Sequence, residues 1–543
     1  MVCIAGAALL LYNARINGRP GAPATEAILI EHGTIAAIGG NAELYERANG
    51  AAPRVDVAGR RIVPGLIDGH AHVLRAELTW GREVRWDDAA SLTEALELVR
   101  RRAADAPPGA WAHVIGGWHP ARFREARLPS LEELDQVAPD NPCYVQFLYE
   151  TAVLNSAGMA ACGFSGAVGD PPDGELERDQ HGELTGVVRG LGAFQHCLAK
   201  IRQQTFPEQV DSIRTLSRDL AKYGLTGAVD TGGIGIGPGV YEPLYEVWRQ
   251  GNLSTRIRLY LGAGSRGDER EQLKDWMKYL PRGFGDDYLR ITGLGEIVQL
   301  ACWDAEGLEP LEVDADSIHE FTEISRSAVA GGWQMHVHAV TDEAIGMVLD
   351  AWETAAQGQS LKASRFMIAH ADGASSQNLV RAKALGVGFA LQDRLVLRSA
   401  ATAEKWGKAA AAGAPPLRDM VELGLPLSGG TDATVVSSIN PWRSLWWFTT
   451  GQNLDGGPRR EEAHRLSRAH ALDLYTRGSA WSTFDEHRQG QLASGFAADL
   501  AVLSDDYYAV PDDEIPDIRS ELTLLGGEVV SAAEPFEGLE DDS

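Results

Sequence analysis

Apolar positions form short runs broken by glycine-containing turns at both ends of the chain, and short runs alternating with long amphipathic stretches between them. Near the start, Leu9–Ile16, Ala27–Glu31 and Thr34–Ile38 are separated by Asn17-Gly18 and His32-Gly33, the punctuation of strand, turn and strand. Asp499–Leu503 and Leu522–Val530 have the same character, so both ends predict short-strand β structure. In the middle, strands are predicted over Arg61–Ile67, Leu225–Asp230, Arg256–Gly262, Leu289–Ile297, Trp333–His338, Arg365–His370, Gly386–Gln392 and Leu425–Asp432, with helical patterns between them. That alternation predicts an α/β fold with a parallel sheet, and eight such units close into a (β/α)8 TIM barrel with its chemistry at the C-terminal strand ends.

The barrel is expected over residues 61–484, with 1–60 and 485–535 forming a small composite β domain. Residues 74–220 are too long for one strand-to-helix connection and contain Gly116-Gly117-Trp118-His119 and Asp170-Pro171-Pro172-Asp173-Gly174. They are read as an insertion after the first strand that serves as a lid.

The chain has 543 residues and a net charge of −27, which repels phosphate backbones and excludes nucleic acid and anionic membranes as partners. No apolar run reaches the roughly 18 residues of a membrane span. Five cysteines without a CxxC pair make neither a disulfide framework nor a zinc ribbon, which predicts a cytoplasmic setting. The apolar run Val2–Tyr12 lacks the basic start and cleavage site of a signal peptide. A small-molecule substrate is the expected partner, and a homo-oligomer stays open.

The first strand runs into Asp68-Gly69-His70-Ala71-His72, and on extended backbone His70 and His72 share a face, where they can bind one cation. The fifth strand ends His336-Val337-His338, the sixth His370-Ala371-Asp372 and the eighth Gly430-Thr431-Asp432, so imidazoles and carboxylates gather on one rim. Such N and O donors suit a divalent ion, zinc first, and hydrolytic sites leave it a water whose pKa falls to roughly 7.

The chain resembles the amidohydrolase superfamily, in particular its family 3 branch with the N-substituted formamide deformylase-like proteins. The likeness rests on Pro64–His72, Asn155-Ser156, Gly182–Val187, His338–Asp342, His370, Gln392, Asp432 and the closing Gly490–Leu503. It implies that the terminal β domain is a sandwich built by both termini. It also implies that His70 and His72 bind a buried metal, His338 and His370 an outer one, and that Asp432 touches the buried metal and shuttles the proton.

Two departures change the expected site. The family's bridging lysine on the fourth strand is absent, Arg290 standing near its position, and Glu296 offers a carboxylate directly. One or two ions are therefore expected, the alternative being a single-metal site with Glu296 in an ordinary salt bridge. Where relatives carry a histidine before the Asn-Ser pair this chain has Glu150, which points to a different substrate. Trp118, His119, Glu150, Asn155, His336 and Gln392 are the candidate substrate residues, and the many tryptophans suggest aromatic pocket walls.

The expected activity is metal-dependent hydrolysis of a non-peptide amide C–N bond in a small, rather apolar molecule by metal-activated hydroxide. A deaminase, a cyclic-amide hydrolase, a decarboxylase on the same site and a catalytically inactive binding homologue are the alternatives.

Overall fold

In the computed structural model, eight parallel strands lie side by side in chain order. They are β1 (Leu66–Ala71), β2 (Leu225–Asp230), β3 (Arg256–Leu261), β4 (Leu289–Glu296), β5 (Gln334–Ala339), β6 (Met367–His370), β7 (Gly388–Gln392) and β8 (Leu427–Gly430). The structure describes residues 8–16, 25–48, 52–166, 168–201, 203–233 and 236–539; the Asn17-Gly18 turn and most of the run from Val2 lie outside them. Every residue of β1, β2, β3, β5, β6 and β7 is buried. Strands covered by helices outside and packed side chains inside need no polar face, so they read as continuous apolar or small runs.

β8 returns to lie beside β1. There Asp432 N donates to His70 O at 2.9 Å and His72 N to Ala433 O at 2.8 Å, which nearly closes the barrel. The buried Asp68 carboxylate ties the seam, accepting from Thr431 Oγ1 at 2.6 Å and from the backbone N–H groups of Thr431 and His70, each at 3.1 Å. Burial pushes Asp68 up to about 6, with the Thr431 hydroxyl the main opposing influence. The approach depends on Gly430, where a Cβ would stand 2.5 Å from His70 N.

The expected strand Arg61–Ile67 proves to be two. Ile62–Pro64 pairs antiparallel with Leu500–Leu503, and Gly65 N bonds to Asp499 O at 2.9 Å, so the chain changes sheets before β1 begins. Ile62–Pro64 joins Leu500–Leu503, Ser520–Leu525 and Glu528–Ala532 in one four-stranded sheet, and Leu9–Tyr12, Ala27–Glu31, Thr34–Gly39 and Arg54–Asp56 form another. Leu9, Leu11, Ile28 and Ile30 meet Leu500, Val502, Leu522 and Leu524 in one apolar layer between them. Arg256 on β3 forms a bidentate pair with Asp499 at 2.8 and 2.9 Å, fastening this sandwich to the barrel floor.

The insertion carries a five-stranded sheet, in the order Glu175–Arg178, Leu184–Arg189, Thr151–Leu154, Cys143–Phe147, Ala112–Val114. It has its own apolar clusters, one around Trp86, Trp118 and Phe123, another around Tyr144, Phe164 and Phe194. It is shorter than the 74–220 span read from the sequence. Val73–Glu77 and Phe206–Ala221 put Val73, Leu74, Val210, Ile213 and Leu216 into the barrel core, as the helical spacing of the last three requires. The lid docks where Gly117 N meets Val435 O at 3.3 Å, beyond β8. Among the described residues, no helix is long and apolar enough to cross a membrane.

Gly430→Ala is expected to force β8 from β1 and cost about 1–3 kcal/mol, the usual penalty of overpacking. Denaturant unfolding of the variant beside the wild type checks this, and equal stability would show that the seam has slack.

Candidate metal centre

Six side chains converge where the strands end. His70 belongs to β1 and His72 follows it, Glu296 ends β4, His338 lies in β5, His370 ends β6, and Asp432 lies two residues beyond β8. His370, Ala371 and Asp432 have φ of 69°, 54° and 58°. Left-handed backbone is costly for residues with a Cβ and collects at functional sites.

Hydrogen bonds behind the rings fix which nitrogen faces inward. His70 Nδ1 meets His336 Nε2 at 3.0 Å, His72 Nδ1 meets Gly232 O at 2.8 Å, and His338 Nε2 meets Ala305 O at 2.8 Å and Asp304 Oδ1 at 3.2 Å. His70 Nε2, His72 Nε2 and His338 Nδ1 are left to face the centre, the outer-atom anchoring usual for metal-binding histidines.

The inward atoms are spaced as ligands of a small cation. Asp432 Oδ1 is 3.0 Å from His72 Nε2 and 3.5 Å from His70 Nε2. Glu296 Oε2 is 3.2 Å from His70 Nε2, 3.6 Å from His338 Nδ1 and 3.9 Å from His370 Nε2, while its Oε1 is 3.8 Å from His72 Nε2. Tetrahedral ligands at about 2.0–2.2 Å from zinc stand about 3.3–3.6 Å from one another, within this range. Glu296 Oε2 is buried with no aligned hydrogen bond, which suits a cation, and His338 Nδ1 faces His370 Nε2 at 2.9 Å. Two facing ring nitrogens need a proton or a metal between them or beside them.

The electrostatics agree. Burial disfavours a charged His70, yet the adjacent carboxylates of Asp432 and Glu296 raise it to about 9; His338, likewise opposed by burial, is raised to about 10 by Asp304 and Glu296. Asp432 is held well below its usual range despite burial, by His70 and His72. The cluster holds protons where a divalent ion would displace them.

The candidate ligands His70, His72, Glu296, His338, His370 and Asp432 are thus brought together, and Arg290 is bonded elsewhere, to Asp485 at 2.6 Å. None of the six candidate substrate residues lines the adjoining cavity of about 60 Å³. Trp118 is buried in the lid with Nε1 on Gln146 O at 2.9 Å, and Asn155 caps a lid helix, accepting from Gly158 N at 2.8 Å. His119 caps a short lid turn, Ala121 N donating to its Nδ1, and burial pushes it down to about 4. Glu150 pairs with Arg398, His336 stands behind His70, and Gln392 Oε1 accepts from His370 N at 2.9 Å. Gln392 Nε2 and His336 Nδ1 remain buried without a protein partner. The cavity wall is instead Arg75, Tyr149, Trp303, Glu306, Val435 and Val436 beside the cluster. Of the tryptophans, Trp303 alone is among these lining residues.

Asp304 was missed as well. It accepts from Val340 N at 3.0 Å and Thr341 N at 2.8 Å while holding His338, and although buried it is kept at about 2 by His338. Its only sequence signal is Trp303-Asp304, far from any strand end.

The amidohydrolase family model matches residues 54–531. The chain belongs to the amidohydrolase family. An amidohydrolase is a hydrolase acting on carbon–nitrogen bonds. The N-substituted formamide deformylase of Arthrobacter pascens is 25% identical over 527 residues, covering 92% of this chain and 94% of the relative. An uncharacterized metal-dependent hydrolase from Pyrococcus furiosus has the same fold, with TM-score 0.65 and 22% identity, covering 92% of this chain and 100% of that one. Atrazine chlorohydrolase TrzN from Arthrobacter aurescens TC1, solved with zinc, aligns at TM-score 0.51 and 16% identity over 96% of this chain and 95% of that one.

Asp304→Asn keeps the shape but removes the charge behind His338. Metal affinity of this amidohydrolase should fall about 10- to 100-fold, as for other outer partners of metal-binding histidines. Competition with a chelator measures it; unaltered affinity would show that Ala305 O alone orients the ring.

Proposed function

We propose that this amidohydrolase cleaves a non-peptide amide C–N bond of a small molecule, with a divalent ion, zinc first, held by His70, His72, His338, His370, Glu296 and Asp432. The observation that carries this reading is Glu296, whose buried oxygens face His72 on one side and His70, His338 and His370 on the other. In that placement Glu296 would hold an ion together with His70 and His370. When bound, such an ion polarises a carbonyl and lowers the pKa of its water to about 7.

The protein's own groups supply the rest. Asp432, with Oδ1 3.0 Å from His72 Nε2, stands where its carboxylate would accept the proton of the attacking water and return it to the leaving nitrogen. Trp303, Val435 and Val436 exclude bulk water and suit an apolar substituent. Four free, buried cysteines, Cys143, Cys162, Cys197 and Cys302, support a reducing, cytoplasmic setting.

Metal-loaded protein offered formamides, other amides, cyclic imides and esters, with products identified by mass, is expected to hydrolyse amides. Turnover of imides alone, or release of carbon dioxide, would favour another reaction on the same residues. Asp432→Asn should hold most of its metal and lose rate by about 10²- to 10⁴-fold, the usual contribution of general acid and base groups. A metal-replete Asp432→Asn protein with near wild-type turnover would remove Asp432 from the proton path.

A further inference from the structure

Arg75 is the one Arg or Lys among the described residues lining the cavity beside the metal cluster. It stands on the short helix Val73–Glu77 that follows β1, which Asp230 holds by accepting from Leu74 N at 2.7 Å. The nearby cations are paired: Arg394 donates to Asp372 and to Glu306, each at 2.8 Å, and Arg398 pairs with Glu150 and, at 3.4 Å, with Glu306. Arg75 is not. Its guanidinium lies over the Tyr149 ring, Cζ 5.2 Å from the centroid, and among the described residues no carboxylate stands within ion-pair distance of it and no group accepts its hydrogen bonds.

Arg75 is half-buried at the cavity wall and its N–H donors have no protein acceptor among the described residues, so they are available to a ligand. The Tyr149 ring supports the guanidinium from one side, and the planar fork of any guanidinium matches the two oxygens of a carboxylate. Tyr149 adds a second donor from the lid, on the turn between Cys143–Phe147 and Thr151–Leu154. Burial raises its hydroxyl above the ordinary value, so it stays protonated and able to donate. Glu306, the carboxylate of the wall outside the metal cluster, is ion-paired with Arg394 and Arg398.

We infer that Arg75 and Tyr149 form a carboxylate-binding subsite, and that the substrate is an amide carrying a carboxylate near the scissile bond, such as an N-acylated amino acid or the monoamide of a dicarboxylic acid. This rests on the amide-hydrolysis reading and names its substrate class. One guanidinium and one phenol match a planar two-oxygen acceptor. With the carboxylate on Arg75 and Tyr149, the apolar part of the substrate faces Trp303, Val435 and Val436.

Zinc-loaded wild type, Arg75→Met, Arg75→Lys and Tyr149→Phe are compared on matched pairs: N-formylphenylalanine with N-formylphenethylamine, and N-benzylsuccinamic acid with N-benzylbutyramide. The first pair places the carboxylate on the amine side and the second on the acyl side. Wild type is expected to prefer the carboxylated member of at least one pair. In Arg75→Met the ratio of kcat/KM between members should fall about 10- to 100-fold, mainly through KM, the scale of losing a charge-assisted hydrogen bond. Arg75→Lys should recover part of the preference and Tyr149→Phe should lose less of it than Arg75→Met. Equal use of both members by wild type, or a ratio unchanged in Arg75→Met, overturns the inference. Calorimetric binding of phenylalanine and succinate is measured in parallel, so absence of all amide turnover counts against the hydrolase reading alone. Carboxylate binding by wild type that is lost in Arg75→Met still supports the subsite, and no binding by wild type overturns it.

Discussion

Glu296 and Asp432 are buried among imidazoles at the open end of a parallel barrel, and the arrangement around them follows from the need to compensate that charge. A buried carboxylate is tolerated only when paired, and here the partners are histidines delivered by β1, β5 and β6. Delivering them to one point requires the strands to close, which is why Asp68 is buried across the seam and Gly430 has no side chain. It also requires each ring to be held from behind, which His336, Gly232 O and Asp304 accomplish.

The insertion contributes Tyr149 to the cavity beside this centre. Gly117 fastens it to Val435 beyond β8, and its turn brings Tyr149 against Arg75 on the barrel. The cavity of about 60 Å³ is small beside the roughly 300–1,000 Å³ of common ligand pockets.

The barrel was legible in the sequence because strands buried on both faces carry their signature locally, as short runs rich in apolar and small residues that hold only a few polar ones such as Asp68, Arg256 and Gln334. The histidine positions were legible for a related reason: His70, His72, His338 and His370 sit at the ends of such runs. Glu296 could be read as the carboxylate replacing a lysine because it closes the fourth run. The break between Ile62–Pro64 and β1 was hidden, since Val63 and Leu66 are equally apolar and only pairing with Leu500–Leu503 separates them. Helix Phe206–Ala221 was assigned to the insertion because nothing in its spacing says which surface its apolar face covers. The cavity wall was least legible. Arg75, Tyr149 and Glu306 meet only through folding, whereas Trp118 and Asn155 stood out by motif and are occupied inside the lid.

The most direct test of a divalent-metal centre is elemental analysis of protein purified without chelators and then dialysed against zinc. The account predicts about one to two equivalents of a divalent transition ion per chain, removable by a chelator and restored on return of zinc. Less than about 0.3 equivalents before dialysis, with no uptake after it, would contradict the account.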